Sequence, residues 1–416
     1  MTNALTICSQ IRDAGGTPYI VGGYVRDTIM GKCPKDTDIV VVGFSFPQLT
    51  SLFEASKIIG KDFPVIQVDG IEIALARKER KIDPGHTGFI CDTLGVSLEE
   101  DLFRRDLTIN AMAMDPFTEQ ITDPFGGRAD INNKMIRPVS IHFKEDPLRV
   151  LRAARFAAQF DMDLCLQVSI MAQEMMSELT TLTPERVWGE TLKALKTDNP
   201  QRFFEALNEM EILEIVFPEI AALKGRIQPE KYHPEGDAFV HTMLAIKRAR
   251  ELNADDVTMF ATLVHDLGKA VTPDEELPHA YNHEALGVPI AESMCERLRI
   301  PNDFKHIACV TAREHLNIHK FFDLKTVTRV RLLERLGATH GNKKIEQVTL
   351  AAQCDAQGRG PLFHDKEYPQ RQAIIDAADV FRTVRGDQFA MFASGVIATK
   401  MEQARAKALN SAGYGK

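Results

Sequence analysis

Residues 19–42 read YIVGGYVRDTIMGKCPKDTDIVVV, and they decide the fold of the first part of the chain. The stretch opens as a short apolar run, Tyr19-Ile20-Val21, which Gly22-Gly23 breaks. A helix-like segment carrying Arg26 and Asp27 follows, and Asp36 and Asp38 lead into a β-prone run, Ile39 to Val42. Alternate residues of a strand share a face, so a strand through this region sets Asp36 and Asp38 side by side. Two such carboxylates repel unless a cation lies between them, and Mg²⁺ is bound by one or two carboxylates together with substrate phosphates. Glycines let backbone N–H groups approach a phosphate, and the start of a helix favours the anion. Strand, Gly-Gly turn, helix and Asp-x-Asp on a second strand therefore read as a nucleoside triphosphate and metal site. The plainer reading is a tight turn followed by a strand with solvated aspartates.

Working outward, residues 4–14 read as a helix ahead of the first strand and Phe46–Ser56 as another. Pro64–Val68 and Glu72–Ala76 read as a hairpin turned at Asp69-Gly70, with Glu72 either a third carboxylate for the metal or an exposed strand glutamate. The segment RKERKIDPGHTGF, residues 77–89, is a basic loop, either simply solvated or in contact with phosphates of a polyanion. Residues 99–115, EEDLFRRDLTINAMAMD, carry a charged node at Arg104, Arg105 and Asp106, and EQITDPFGGRADI then reads as a strand, a turn and an exit. This is a mixed α/β head with a small sheet.

From Lys144 the pattern becomes helical. KEDPLRVLRAARFAAQF has Pro147 in its first turn and Glu145-Asp146 near its start. Arg149, Arg152 and Arg155, three apart, spread over about 120° of one side of a helix, and arginine offers planar donor forks to phosphate or base edges. Two amphipathic helices follow, in LTPERVWGETLKAL and PQRFFEALNEMEILEIVFPEI. The expected division is a head at 1–143, a helical region at 144–225, a second domain at 226–360 and a helical tail at 361–416.

A second constellation lies in the later part: His241 in AFVHTMLAI, His265-Asp266 in FATLVHDLGKA, His283, His315 and Asp355. Imidazole and carboxylate together suit Zn²⁺, Ni²⁺, Mn²⁺ or Fe²⁺, and such a site can activate water for phosphoester hydrolysis. Lys269, just after His-Asp-Leu-Gly, reads as a phosphate contact or a helix cap.

Composition sets the frame. A chain of 416 residues, 44% hydrophobic and 26% charged, fits a soluble protein of two or more domains. No apolar run is long enough for a membrane span, and MTNALTICSQIRDAGG lacks the basic-then-apolar layout of a secretory signal. Seven cysteines, at 8, 33, 91, 165, 295, 309 and 354, have no paired spacing, which argues against a zinc ribbon or disulfide framework and suits a reducing cytoplasm. The net charge of −8 argues mildly against a nucleic-acid binder, but the basic clusters of the first half are local.

GGYVRDTIMGKCPKDTDIVVVG, EEDLFRRDLTINAMAMD and EDPLRVLRAARF, in that order, resemble the signature blocks of bacterial class II tRNA nucleotidyltransferases, the CCA-adding enzymes. The resemblance continues through LTPERVWGETLKAL and the His-Asp blocks, and is greatest to the gammaproteobacterial, multifunctional members with a C-terminal HD phosphohydrolase domain. It implies an α+β head of the polymerase-beta type, followed by an all-α body and an all-α HD domain. It also implies template-free addition of CCA to tRNA from CTP and ATP, by a cytoplasmic monomer or homodimer with no membrane partner. Gly23 and Arg26 would hold the nucleotide phosphates, and Asp36 and Asp38 would bind Mg²⁺ and activate the RNA 3′-hydroxyl. Asp106, Arg152 and Arg155 would complete the nucleotide site, and Asp146 and Arg149 would read base edges. His241, His265, Asp266 and Asp355 match the order of HD metal ligands, here for Ni²⁺ or another divalent transition metal. Glu314-His315 stands where many HD proteins carry His-His, which leaves His283 and His315 as secondary candidates. The implied hydrolytic activities are phosphatase, 2′,3′-cyclic phosphodiesterase and 2′-nucleotidase. The rival readings are a poly(A) polymerase, which shares the head, and a metal phosphohydrolase whose head only tethers RNA.

Overall fold

A computed structural model describes residues 2–54, 56–59, 64–81, 89–389, 391 and 394–415. The chain forms two compact units, one of residues 1–182 with 209–212 and one of residues 183–208 with 213–416.

In the first unit the strands are β1 (Thr17–Val21), β2 (Asp38–Val42), β3 (Lys57–Ile59), β4 (Val65–Val68), β5 (Ile71–Leu75), β6 (Lys78–Lys81), β7 (Phe89–Asp92), β8 (Ala113–Met114) and β9 (Ile121–Thr122), with a short parallel pair, Met135–Ile136 and Asp163–Leu164, after them. Seven of them form one mixed sheet in the order β3-β4-β5-β2-β1-β8-β9, and β6 pairs with β7. Its helices include α1 (Thr2–Asp13), α2 (Gly23–Ile29), α3 (Phe46–Leu52), α4 (Leu98–Phe103), α5 (Gly127–Asn132) and α6 (Leu148–Phe160).

Period-2 burial assigns the two faces of the sheet. Ile39, Val41, Ile73 and Leu75 pack with Ile7, Ile11 and Leu49 of α1 and α3. Val40 and Val21 turn the other way, onto Leu102, Ala111 and Ala113. By the same alternation Asp38 and Glu72 lie on the Val40 face. The hairpin turn has the expected chemistry, with Asp69 and Gly70 both at positive φ (50° and 82°), as a type I′ turn requires.

Several boundaries differ from expectation. β2 begins at Asp38, so Asp36 precedes the strand instead of sharing its pleat. The helix expected over Phe46–Ser56 stops at Leu52, and β3, exposed along its whole length, follows. The basic loop 77–89 carries β6 and the start of β7 at its ends, while residues 82–88 lie outside the described residues. The expected exit after Asp123 contains α5. The Asp123 carboxylate accepts from the backbone N–H groups of Gly127 and Arg128, at 2.7 and 2.9 Å, and so anchors its first turn. Pro147 caps α6 from outside rather than sitting in its first turn, and Glu145 closes a preceding 3-10 turn.

All strands among the described residues belong to the first unit; the second is helical. Helices Ala238–Glu251, Asp256–Val264, His283–Arg297, Asn302–His319 and Lys343–Gln357 build its framework. Asp255 caps the second of these by accepting from the Thr258 N–H at 2.8 Å, and everything from Thr258 to Val264 is buried. Trp188, on helix Pro184–Leu195, sets its ring edge-on to Phe260 and Phe304 at 5.4 and 5.2 Å, so that helix belongs to this core. Gly268 packs against the start of helix His283–Arg297 so closely that a Cβ would collide with the His283 carbonyl, which fixes a glycine after His-Asp-Leu.

Candidate active sites

In the first unit β1 and β2 are paired with Val21 opposite Asp38, which brings the Gly22-Gly23 turn beside the carboxylate. β2 and β5 are parallel with Asp38 beside Glu72. Glu72 is thus exposed on the strand and also Asp38's neighbour on the same face, so the two readings of it coexist. Partial burial and the charges of Glu72 and Asp36 raise the Asp38 carboxyl above its usual range, against the pull of Arg105. Acidic neighbours this close give the place a charge that favours a cation. Among the described residues, though, the carboxylates of Asp36, Asp38 and Glu72 do not converge as a closed three-ligand group.

Gly22 (φ 68°) precedes α2, and a Cβ there would stand 3.2 Å from an Arg105 guanidinium nitrogen. Gly23 opens α2, with Arg26 one turn on. Arg26 is 7% exposed. It donates to Asp27 at 2.9 Å and to the Asn110 side-chain oxygen at 2.7 Å, and lies over the Phe160 ring at 4.6 Å.

Asp106 is buried and accepts from Arg152 through both Nε (2.8 Å) and the terminal nitrogen (2.7 Å). Asn110 donates to it as well, at 3.2 Å. Burial pushes this carboxyl up, but Arg152 and Arg149 outweigh it and hold the group well below the usual carboxylate range. Arg149 donates to the His142 carbonyl at 2.8 Å, and the Asp146 carboxylate accepts the Leu148 N–H at 3.0 Å at the head of α6. Arg155 is buried, donates to Gln159 at 2.7 Å and lies over Phe156 at 3.9 Å. The three arginines of α6 therefore differ. Arg149 and Arg152 are half-exposed beside Asp106, whereas Arg155 is packed inside. Sequence reasoning missed Asp101, which is fully buried and clamps Arg104 at 2.6 Å and Arg105 at 3.2 Å. Its spacing of three and four residues from those arginines on a short helix was the available signal.

In the second unit His241, His265, Asp266, His283, His315 and Asp355 converge in one buried cluster. His241 and His265 stand with Asp355, and His283 and His315 stand with Asp266. Three of the imidazoles are oriented from behind by backbone carbonyls. His265 Nδ1 faces the Thr262 carbonyl at 2.7 Å, His283 Nδ1 the Ala280 carbonyl at 2.7 Å, and His315 Nδ1 the Ala312 carbonyl at 2.9 Å. His241 Nδ1 lies 2.7 Å from Glu235. A proton on each Nδ1 leaves Nε2 as a lone-pair donor pointing inward.

The inner atoms then lack protons to share. The Nε2 atoms of His283 and His315 face each other at 3.2 Å, and His265 Nε2 and Asp266 Oδ1 are buried without a hydrogen-bond partner. Burial, only partly offset by Asp266, pushes the His315 pKa down to about 3, so this ring is neutral. Buried lone pairs aimed at one another are costly, and a divalent cation removes the cost. The nitrogen-and-carboxylate donor set fits a transition metal.

The two secondary candidates, His283 and His315, are thus placed as centrally as the others. Glu314 faces away, since adjacent helix residues point about 100° apart. It pairs with Arg335 through both oxygens, at 2.5 and 2.9 Å. Lys269 neither caps a helix nor stands free; it donates to Asp266 and to Gln228, each at 2.6 Å. Not foreseen were His319, whose Nε2 lies 2.6 Å from Asp355, and Arg359, which donates to Asp355 at 2.9 Å. Each follows a candidate ligand by four residues, His315 or Asp355, and that helical spacing was the signal.

Comparison with known proteins finds three family models along the chain. The Poly A polymerase head domain matches residues 18–137, the probable RNA and SrmB-binding site of polymerase A matches 168–224, and the HD domain matches 232–383. The multifunctional CCA protein of Shewanella denitrificans is 47% identical over 86% of this chain and 87% of its own length. That of Haemophilus influenzae is 43% identical, over 85% and 87%. That of Shewanella frigidimarina is 40% identical, over 94% and 96%. Among solved structures, the CCA-adding enzyme of Bacillus stearothermophilus in complex with CTP superposes with a TM-score of 0.69 over 99% of this chain and 93% of that one, at 21% identity, a likeness of fold. By sequence along nearly its whole length, and by a nucleotidyltransferase head joined to a helical HD domain, this chain belongs to the multifunctional CCA protein family.

Proposed function

We propose that the chain adds or repairs the 3′-terminal CCA of tRNA from CTP and ATP without a nucleic-acid template, and that its HD domain separately hydrolyses phosphoesters. The observation that carries the first part is the strand register: Val21 opposite Asp38 and Asp38 beside Glu72, which sets a phosphate-accepting Gly-Gly turn next to paired acids. Asp36 and Asp38 would hold Mg²⁺, which when bound neutralises phosphate charge and eases deprotonation of the RNA 3′-hydroxyl. That oxygen attacks the α-phosphorus, the bond from Pα to the bridging oxygen breaks, and pyrophosphate leaves. Gly23 would approach the triphosphate through its backbone. Arg26, held by Asp27 and Asn110, would offer its remaining surface to the phosphates. Asp146 and Arg149 at the head of α6 would read the base edge, with Asp106 fixing Arg152 beside them and Arg155 supporting the helix from inside. Side chains held this firmly suit a protein that selects bases without a template.

The working division follows: a head at 1–143, a nucleotide-selecting and tRNA-binding region at 144–225, the HD domain at 226–360 and a tail at 361–416. In the HD domain His241, His265, Asp266 and Asp355, joined by His283 and His315, would hold Ni²⁺ or a similar divalent ion, which supplies the Lewis acidity for hydrolysis near neutral pH. Phosphatase, 2′,3′-cyclic phosphodiesterase and 2′-nucleotidase activities fit such a centre, and each consumes one water per P–O bond broken. We place the enzyme in the cytoplasm, as a monomer or homodimer.

The experiment is extension of tRNA lacking its 3′ end with CTP, ATP or both. Addition of C-C-A followed by arrest supports the reading, and a long A-tail would establish the poly(A) polymerase alternative instead.

A further inference from the structure

The second unit has a cavity of about 590 Å³ over the metal cluster. That is a size suited to a small organic ligand, since such sites run from about 300 to 1,000 Å³. Asp266, His283, His315 and Asp355 line it, and so do aromatic side chains that the hydrolytic centre does not use, among them Tyr232, His279 and Tyr281.

His279 and Tyr281 are stacked on one another, 5.7 Å between centroids and 24° between planes. Both are exposed, Tyr281 to 64%. A single exposed tyrosine needs no explanation. A stacked pair at the edge of a cavity with a cation-binding cluster inside is a different matter. It offers a flat π-surface whose natural partner is another ring, and stacking of this kind accepts any nucleobase.

The pair is also fixed relative to the cluster. Ala280, the residue between them in sequence, orients His283 by accepting at its carbonyl from Nδ1 at 2.7 Å. On the same cavity Tyr232, 54% exposed, is held through its carbonyl by Arg359, and Arg359 in turn grips Asp355.

We propose that the His279–Tyr281 pair is a base-stacking platform that makes the HD site select phosphoesters carried on a nucleoside over those without a base. This rests on the hydrolytic reading of the site. Tyr281 is then a specificity-determining residue, acting on the part of the substrate that does not react.

The test compares a nucleoside 2′,3′-cyclic phosphate with the methyl riboside 2′,3′-cyclic phosphate, which has the same reacting group and no base. For the metal-loaded, full-length enzyme the ratio of kcat/KM should favour the nucleoside by about 10-fold or more. Tyr281→Ala should bring that ratio towards one, mainly through KM, and Tyr281→Trp should preserve it. Calorimetric titration with a nucleoside 2′-monophosphate reads the same difference as affinity, without turnover. Equal ratios in the parent and Tyr281→Ala overturn the platform. So does a fall in kcat on both substrates together with lost metal content, because Tyr281 then merely supports His283. A parent enzyme that hydrolyses neither compound overturns the hydrolytic reading itself, a result distinct from hydrolysis of both without preference.

Discussion

The two candidate metal sites are built on opposite plans. In the first unit the acids are exposed, and Asp36 lies outside the strand that carries Asp38. In the second unit six donors are buried, three imidazoles are oriented from behind by carbonyls, and nitrogen lone pairs face one another. The first plan suits a hard cation that keeps water and arrives with a triphosphate. The second suits a resident ion whose binding energy also stabilises the fold. The difference teaches that a site completed by its substrate can look half-assembled in the bare protein, whereas a site completed by a metal shows its unmet demand in the protein itself.

Four outcomes would break or sharpen this contrast. The largest effect is expected from Asp36→Ala with Asp38→Ala. CTP and ATP incorporation should fall by about 10³-fold or more, since a catalytic ion supplies several kcal/mol. Hydrolysis of a phosphoester should persist in the same preparation. His265→Ala with Asp266→Ala should do the reverse, and loss of both activities in either variant would break the separation.

Next, His283→Ala and His315→Ala should each lower bound metal, read by elemental analysis after dialysis, and should lower hydrolysis by about 10- to 100-fold. A normal metal content in both would return them to the secondary rank that the sequence suggested. Glu314→Gln should leave metal content unchanged, because Glu314 is paired with Arg335 outside the cluster.

The third outcome concerns stability. Trp188→Ala should cost the second unit about 3–5 kcal/mol in denaturant titration, through lost packing on Phe260 and Phe304. Asp106→Ala removes a buried carboxylate that accepts from Arg152 and Asn110; because Arg152 is half-exposed, the cost to the first unit should be smaller, about 1–3 kcal/mol.

The smallest effect is one of pH. The Asp106 carboxyl is depressed in the folded state, so its contribution is fully present above the unfolded value of about 3.9 and is lost as pH falls below it. The parent should therefore lose stability as pH falls below about 4. Asp106→Asn, weaker at neutral pH, should lack this contribution, and its stability gap to the parent should narrow. A gap that stays constant down to pH 3 would contradict the pairing.

Much of this was legible in the sequence where local chemistry decides. The Gly-Gly turn, the Asp69-Gly70 hairpin and the order of His and Asp candidates all depend on residues near one another or on side chains that few other roles explain. What was hidden depends on distant pairings or weak local signals. β3 is three exposed residues on a sheet edge. α5 is held at its start by Asp123 within a run that reads as a turn. The partners of Arg26 and Arg152 include Asn110 and Asp106, 84 and 46 residues away, distances no local pattern spans. The place of His283 and His315 beside Asp266 was hidden because the sequence shows Glu314 next to His315, and only the helix shows that its side chain is directed elsewhere.

In the proposed function the acids beside the Gly-Gly turn polymerise, and the protein itself chooses the base and the stopping point. The product ladder on tRNA lacking CCA is the decisive measurement. Two additions are expected with CTP alone, a third only when ATP is present, then arrest, all abolished by Asp36→Ala with Asp38→Ala. Continued growth with ATP, or a full ladder from that double variant, would rule this out.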